Sequence, residues 1–308
     1  MKKIFIATTS FGVLDKTPIK ILKNNSFDIV FNDRGRKLSS SEMLDCLRDC
    51  DGVIAGTEKY ESDLLLNVNK LKVISRLGVG IDNIDINVAK ELGIVVLKTK
   101  TTPAISVSEL SLGLILNLIR KISLKNQQIK NGIWQKNMGF LLSGKTLGII
   151  GMGVIGKSFV NILKGFNLNI LAYDLFEDTK FADKNKIKYC SIDDLLSKSD
   201  IVSIHLNLSS ETNKFIDEKK LSKMKPNSIL INTSRGEIID EKALFKFLKE
   251  EKILGAGLDV FNQEPYSGDL TQLDNVILTP HIGAYAKEIR TKMEIEVVNN
   301  LIKGFNEK

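Results

Sequence analysis

Histidine occurs only twice in these 308 residues, at His205 and His281. A proton carrier titrating near neutrality therefore has two candidates at most. Cysteine is nearly as scarce. Cys46, Cys50 and Cys190 cannot all pair and show no metal-ligand spacing, so neither a disulfide framework nor a metal site is expected. Cys46 and Cys50 fall on one face of a predicted helix, which points to free buried thiols in a reducing cytoplasm. No apolar run approaches the roughly 20 residues of a membrane helix. The apolar start Ile4-Phe5-Ile6-Ala7 stops at Thr8-Thr9-Ser10 and reads as a first β-strand, not a secretory signal. Arginine-rich blocks and basic runs interleaved with aromatics are also missing. The net charge of +7 comes from scattered lysines such as Lys121, Lys125, Lys130, Lys184, Lys186 and Lys188. That pattern is solvated surface and excludes a nucleic-acid footprint; small anions are the natural partners.

What is present is the composition of an ordinary globular protein, 43% hydrophobic and 26% charged. The length suffices for two cores, since domains cluster near about 100–150 residues. Short apolar runs at Ile4–Ala7, Asp28–Phe31, Gly52–Ala55, Val73–Ser75 and Ile94–Leu97 predict strands. Amphipathic stretches at Ile19–Lys23, Ser41–Cys50, Ser62–Val68 and Asp85–Leu92 predict helices between them. Such alternation implies a parallel sheet covered on both faces. Ser106–Lys130 reads as one long helix crossing between domains, weakened at Gly113. A second βα series follows, with strands near 146–150, 169–173, 201–204, 228–232, 254–258 and 276–278. The last amphipathic stretch, Ala286–Phe305, is expected to return to the first domain. The predicted organisation is 1–100, then an inserted domain over 101–284, then 285–308 completing the first. The fold class is α/β with two doubly wound parallel sheets, a Rossmann domain inserted into a flavodoxin-like one.

Gly151-Met152-Gly153-Val154-Ile155-Gly156 is a G-x-G-x-x-G loop. It follows the apolar run Thr146–Ile150, opens onto a helical pattern, and is answered by Asp174 at the end of the next predicted strand. That context turns a weak hexapeptide into a dinucleotide-binding signal. The first glycine permits a tight turn, the second lets backbone approach a pyrophosphate, and the third lets helix and strand pack closely. The helix N-terminus adds unpaired N–H groups and a positive dipole end.

Three polar clusters end later predicted strands: Asn232–Gly236, Asp259–Pro265 and Thr279–Ala284. Ligands of doubly wound sheets bind beyond those ends. His281 suits general acid–base work, taking a hydroxyl proton as hydride leaves carbon. Glu264 is a candidate to hold the other imidazole nitrogen and stabilise the imidazolium. Arg235 is a candidate bidentate clamp on a carboxylate. His205 is expected to line or pack beside the cofactor site.

Nearly the whole chain resembles the D-isomer-specific 2-hydroxyacid dehydrogenases. The motifs that carry the resemblance are Ser75–Asp85, Gly151–Gly156, Ile231–Gly236, Gly257–Pro265 and Pro280–Ala284. It implies Arg235, Glu264 and His281 as the catalytic set and the Val79-Gly80 backbone as a contact of the substrate carboxylate. It also implies that Asp259 holds the nicotinamide carboxamide, while Val154, Ile155, Leu206, Thr233, Ser234, Gly283 and Ala284 line the cofactor. NAD is expected over NADP, because a 2′-phosphate would face Asp174 with no arginine in Leu175-Phe176-Glu177. A homodimer is implied. Within the family the chain leans towards short D-3-phosphoglycerate dehydrogenases without a regulatory domain, through Val73–Asp85, Gly132-Ile133-Trp134, Gly144–Gly148 and His281–Glu288. Arg76 and Lys136 are then the candidate phosphate contacts. Against that, Gly56 stands where longer relatives have a phosphate-binding arginine, with Lys59 nearby. A hydroxypyruvate or glyoxylate reductase and a non-enzymatic NAD-sensing corepressor are the alternatives.

Overall fold

The structure is a computed structural model and describes residues 1–307. The chain divides into two compact units. One contains Met1–Thr102 together with the segment from Tyr285 onward, and the other is Pro103–Ala284.

The first unit is a parallel sheet of β1 (Lys3–Ile6), β2 (Asp28–Phe31), β3 (Gly52–Ala55), β4 (Val73–Arg76) and β5 (Val95–Lys98), in the order β2-β1-β3-β4-β5. β3 and β4 are buried on both faces, as a central strand of a covered parallel sheet must be. One face meets Met43, Leu47, Leu64 and Leu65 from the helices Ser40–Leu47 and Ser62–Leu65. Ser39 caps the first of these in a full capping box with Glu42. The other face is covered by the helix Lys287–Asn306, which packs on β3, β4 and β5 and buries Met293, Val297, Val298 and Leu301. Ser75 Oγ donates to Val297 O at 2.7 Å beneath that helix. Its first turns also carry a buried ion pair, Arg290 Nε to Glu294 Oε1 at 2.9 Å. Glu294 Oε2 accepts from the Gly12 N–H at 3.0 Å, and Arg290 Nη2 donates to Ser10 Oγ at 2.9 Å. The loop after β1 is thereby tied to the helix.

The second unit has seven parallel strands in the order β12-β11-β10-β9-β6-β7-β8. They are β6 (Thr146–Ile150), β7 (Asn169–Tyr173), β8 (Ile187–Tyr189), β9 (Ile201–Ile204), β10 (Ile229–Asn232), β11 (Gly255–Leu258) and β12 (Val276–Leu278). This is the dinucleotide-binding order with one strand added, and its reversal point lies between β6 and β9. Two apolar cores cover its two faces.

Two expectations change. Ser106–Lys130 is two helices, Ala104–Arg120 and Ile122–Lys130, broken where Lys121 takes φ 54° and ψ 40°. Asn117 stabilises the break: its Oδ1 accepts from the Ser123 N–H at 2.8 Å and its Nδ2 donates to Ser123 Oγ at 2.6 Å. β8, a three-residue edge strand with an exposed Lys188, had no counterpart in the apolar pattern. No helix among the described residues is long and apolar enough to cross a membrane.

Candidate active site

The glycine loop joins β6 to the helix Val154–Ile162 at the reversal point of the second sheet. Gly151 has φ 97°, and a Cβ there would stand 2.7 Å from His205 O. A Cβ on Gly156 would stand 2.2 Å from Gly151 O, so loop and helix touch backbone to backbone. Gly153 differs, for a Cβ there would meet nothing within 4 Å. Its open side adjoins the first N–H groups of a nine-residue helix with no side-chain cap, which is a place for an anion. Asp174 accepts from the Met152 N–H at 2.6 Å and the Phe176 N–H at 3.0 Å, fixing the loop to the end of β7. The residues therefore fit a dinucleotide, with Gly153 and the helix start towards phosphate and Asp174 towards a ribose. Val154 is exposed beside them, Ile155 and Leu206 are half-buried, and Thr233 and Ser234 are buried.

His281 follows β12 with φ 54°, a left-handed conformation that histidine tolerates better than most residues. Its Nδ1 lies 3.0 Å from both Glu264 oxygens. A carboxylate can only accept, so Nδ1 carries the hydrogen and Nε2 is left for a reaction partner. Glu264 precedes Pro265 across a cis peptide and also accepts from the Phe261 N–H at 3.3 Å.

Asp259, 1% exposed at the end of β11, holds the loop that presents His281. It accepts from Thr279 Oγ1 at 2.6 Å, the Ile282 N–H at 2.8 Å and the Gly283 N–H at 2.8 Å. Burial pushes its carboxyl above the ordinary aspartate range; the Thr279 hydroxyl, the two N–H donors and nearby His281 pull the other way. The expected contact of Asp259 with a nicotinamide carboxamide is thus joined by a local task that the sequence did not reveal. Thr279 stood in one of the polar clusters without a role of its own, and Ser106, whose Oγ donates to Gly283 O at 2.5 Å, was not singled out.

Arg235 is half-buried after β10, its Nη1 donating to Ser234 O at 2.7 Å and its carbonyl accepting from Asn232 Nδ2 at 2.8 Å. The next residue must be glycine, because a Cβ on Gly236 would stand 2.0 Å from the Phe261 carbonyl carbon. That close approach brings the Arg235 loop against the loop carrying Glu264. His205 is 9% exposed, with Nε2 3.0 Å from Ser203 Oγ and its ring edge-on to Phe159. Burial lowers its pKa to about 4, so the ring is neutral and unsuited to carry the reaction's proton.

In the first unit, Val79 and Gly80 lie half-buried after β4, and no backbone carbonyl among the described residues takes their N–H groups. Arg76 is 6% exposed, and its Nη1 donates to Leu77 O beneath Gly78. Its guanidinium is turned inward rather than offered at the surface. Lys59 is exposed and pairs with Glu61 at 3.1 Å. In the second unit Lys136 is exposed on the coil after the helix Ile122–Lys130. No group of three metal-ligating side chains occurs among the described residues.

The family model for the NAD-binding domain of D-isomer-specific 2-hydroxyacid dehydrogenases matches residues 112–283. A glyoxylate reductase of Thermococcus litoralis is 40% identical over 271 residues, covering 84% of this chain and 82% of that protein. A hydroxypyruvate reductase of Thermotoga maritima is 37% identical over 297 residues, 94% of this chain and 95% of that one. A D-3-phosphoglycerate dehydrogenase of Methanocaldococcus jannaschii is 40% identical over 257 residues, 82% of this chain but 49%, about half, of its own length. With the glycine loop, the His281–Glu264 pair and Arg235 at the strand ends, these matches lead to one statement: the chain belongs to the D-isomer-specific 2-hydroxyacid dehydrogenases and is an NAD-dependent oxidoreductase.

Proposed function

We propose that the enzyme interconverts a short, unphosphorylated 2-keto acid, hydroxypyruvate or glyoxylate, and its D-2-hydroxy acid. The observation that carries the reaction is His281 Nδ1 held by both Glu264 oxygens at 3.0 Å. NADH, when bound, supplies the hydride. His281 Nε2 gives its proton to the C2 oxygen as that oxygen gains charge, and Glu264 supports the imidazolium beforehand. Arg235 clamps the substrate carboxylate and polarises the carbonyl, a role suited to its planar donor fork. The Val79-Gly80 backbone is assigned to the substrate carboxylate by the family resemblance. Asp259 positions the His281 loop.

The substrate reading departs from phosphoglycerate on two observations in the first unit: position 56 is glycine, and Arg76 is only 6% exposed. The phosphoglycerate reading keeps the support of the Methanocaldococcus relative. One assay decides. The values of kcat/KM with NADH are measured for hydroxypyruvate, glyoxylate and 3-phosphohydroxypyruvate, and the last is expected to be the poorest. His281→Ala should lower kcat by about 100- to 10,000-fold, the usual worth of a general acid. NADH binding by fluorescence should change little, and unimpaired turnover would remove His281 from the mechanism. A clear preference for NADPH would contradict the assignment of Asp174 to the ribose.

We propose in addition that two copies associate through residues 122–141, where Ile122, Ile129, Trp134, Met138 and Leu141 are all more than half exposed. Apolar surface on this scale marks an interaction site, and Lys136 lies within it. Light scattering on Trp134→Glu, expected to be monomeric, tests the assignment. The three free thiols fit a cytoplasmic setting.

A further inference from the structure

The helix Ala104–Arg120 packs on β10, β11 and β12 of the second unit. It lies close to the sheet at β11, where a Cβ on Gly257 would stand 3.0 Å from Leu114 Cβ. Its first turns reach the carboxyl ends of those strands, the end at which doubly wound sheets bind their ligands. Three serines there are buried, Ser106 at 7% exposure and Ser108 and Ser111 at 0%. A buried hydroxyl needs a partner. Ser108 finds one inside the helix, its Oγ donating to Ala104 O at 2.6 Å. Ser106 and Ser111 also reach outside it, each to a different loop.

Ser106 Oγ donates to Gly283 O at 2.5 Å, two residues beyond His281. The N–H of the same glycine goes to Asp259 Oδ2 at 2.8 Å, so both of its backbone polar groups are fixed. Helix and loop are in near contact, for a Cβ on Gly283 would stand 3.2 Å from Val107 Cγ2. Ser111 Oγ lies 3.0 Å from Thr233 Oγ1, two residues before Arg235, and 2.8 Å from Val107 O. A carbonyl can only accept, so the Ser111 hydrogen goes to Val107 and the Thr233 hydroxyl donates to Ser111. The reverse order would leave two oxygens 2.8 Å apart with no hydrogen between them. Ser106 and Ser111 stand five positions apart, about 7.5 Å along the helix axis. A single rigid element of the second unit therefore holds the loop of His281 and the loop of Arg235.

We propose that Ser106 and Ser111 are positioning residues for the reaction, Ser106 acting through the His281 loop and Ser111 through the Arg235 loop. The helix sets the spacing between the proton donor and the carboxylate clamp. The proposal rests on the roles given above to those two residues. Neither serine touches the reacting atoms in this arrangement. Their weight comes from geometry, since a misplacement of about 1 Å can cost on the order of 100-fold in rate. The two effects are separable. Proton transfer to the C2 oxygen is felt in kcat, and grip on the substrate carboxylate is felt in KM.

The test is the kinetics of Ser106→Ala and Ser111→Ala at saturating NADH with the best of the three keto acids named above. Rates are expressed per NADH-binding site, and folding is checked by circular dichroism. Ser106→Ala should lower kcat about tenfold and leave KM for the keto acid within about twofold. Ser111→Ala should raise that KM about tenfold and leave kcat within about threefold. A helix that only fills space would lose stability in both variants and move kcat and KM alike. That result overturns the proposal, and so do unchanged kinetics. Should Ser111→Ala fail to fold, Thr233→Val removes the same bond from the loop side while keeping the side chain's shape. Its KM must rise, and an unchanged KM overturns the role of Ser111. Should Ser106→Ala fail to fold, Ser106→Cys keeps the bulk with a weaker donor. Its kcat should fall at least about threefold, and an unchanged kcat overturns the role of Ser106. His281→Ala separates this proposal from the reaction it rests on. Normal turnover there removes the reaction assignment and the positioning roles together. An inactive His281→Ala beside serine variants with unchanged kcat and KM removes the positioning roles alone.

Discussion

His281 owes its place to a carboxylate that binds backbone. Three donors from Thr279, Ile282 and Gly283 converge on Asp259, and the histidine rides on the loop they shape. His281 and Glu264 were legible because histidine is rare and both follow strand ends. The task of Asp259 was not, since its partners lie 20 to 24 residues away and meet it only when β11 and β12 pair. His205 makes a prediction of its own. Its pKa is about 4 in the fold against 6.5 for an unperturbed histidine. Above pH 6.5 both folded and unfolded chains hold it neutral. As pH falls from 6.5 towards 4 the unfolded chain takes the proton first, so stability declines, by about 2 kcal/mol at pH 5 and about 3 kcal/mol once the passage is complete. His205→Gln should abolish that share of the acid loss. Urea denaturation of both proteins at pH 7 and pH 5 measures it, and equal losses would absolve the histidine.

Among the elements, the glycine loop separates what the fold needs from what the ligand needs. Gly156→Ala puts a methyl 2.2 Å from Gly151 O and should destabilise the second unit by about 1–3 kcal/mol, the usual cost of overpacking. Gly153→Ala meets nothing within 4 Å, and φ −68° with ψ −160° is allowed to alanine. It should leave the melting temperature of the ligand-free protein unchanged while weakening NADH binding at least tenfold. Calorimetry with and without NADH checks both, and normal NADH affinity in Gly153→Ala would argue against pyrophosphate at that position. Most strands were readable as apolar runs between turn residues, because parallel strands are buried on both faces. β8 was not. It is a short edge strand bearing lysine, the means by which sheets discourage further pairing, and so it lacks an apolar signature. The helix break at Lys121 was hidden for another reason: no glycine marks its left-handed residue, and the Asn117–Ser123 bonds that hold it form only after the chain has turned.

At the scale of the whole molecule, the first unit takes its strands from the start of the chain and one covering helix from its end. Met293, Val297, Val298 and Leu301 are essentially fully buried on that helix. At roughly 1.5–3 kcal/mol each they contribute about 6–12 kcal/mol, as much as the net stability of a typical domain. A chain ending at Ala284 should therefore lose the cooperative unfolding of the first unit. The second unit, being continuous, should keep its own transition and a stabilisation by NADH that grows with ligand concentration. Two intact transitions in the shortened protein would show that the helix is dispensable. The division of labour also sets an order in time. During synthesis the strands of the first sheet emerge early, with one greasy face uncovered, and wait for a helix made about 200 residues later. At ~5–20 residues per second that interval is roughly 10–40 s, in which the second unit can fold completely. The cell must keep the half-built sheet from its neighbours for that long, so the first unit, and not the one that binds the cofactor, is where a ribosome-bound chaperone would have to act.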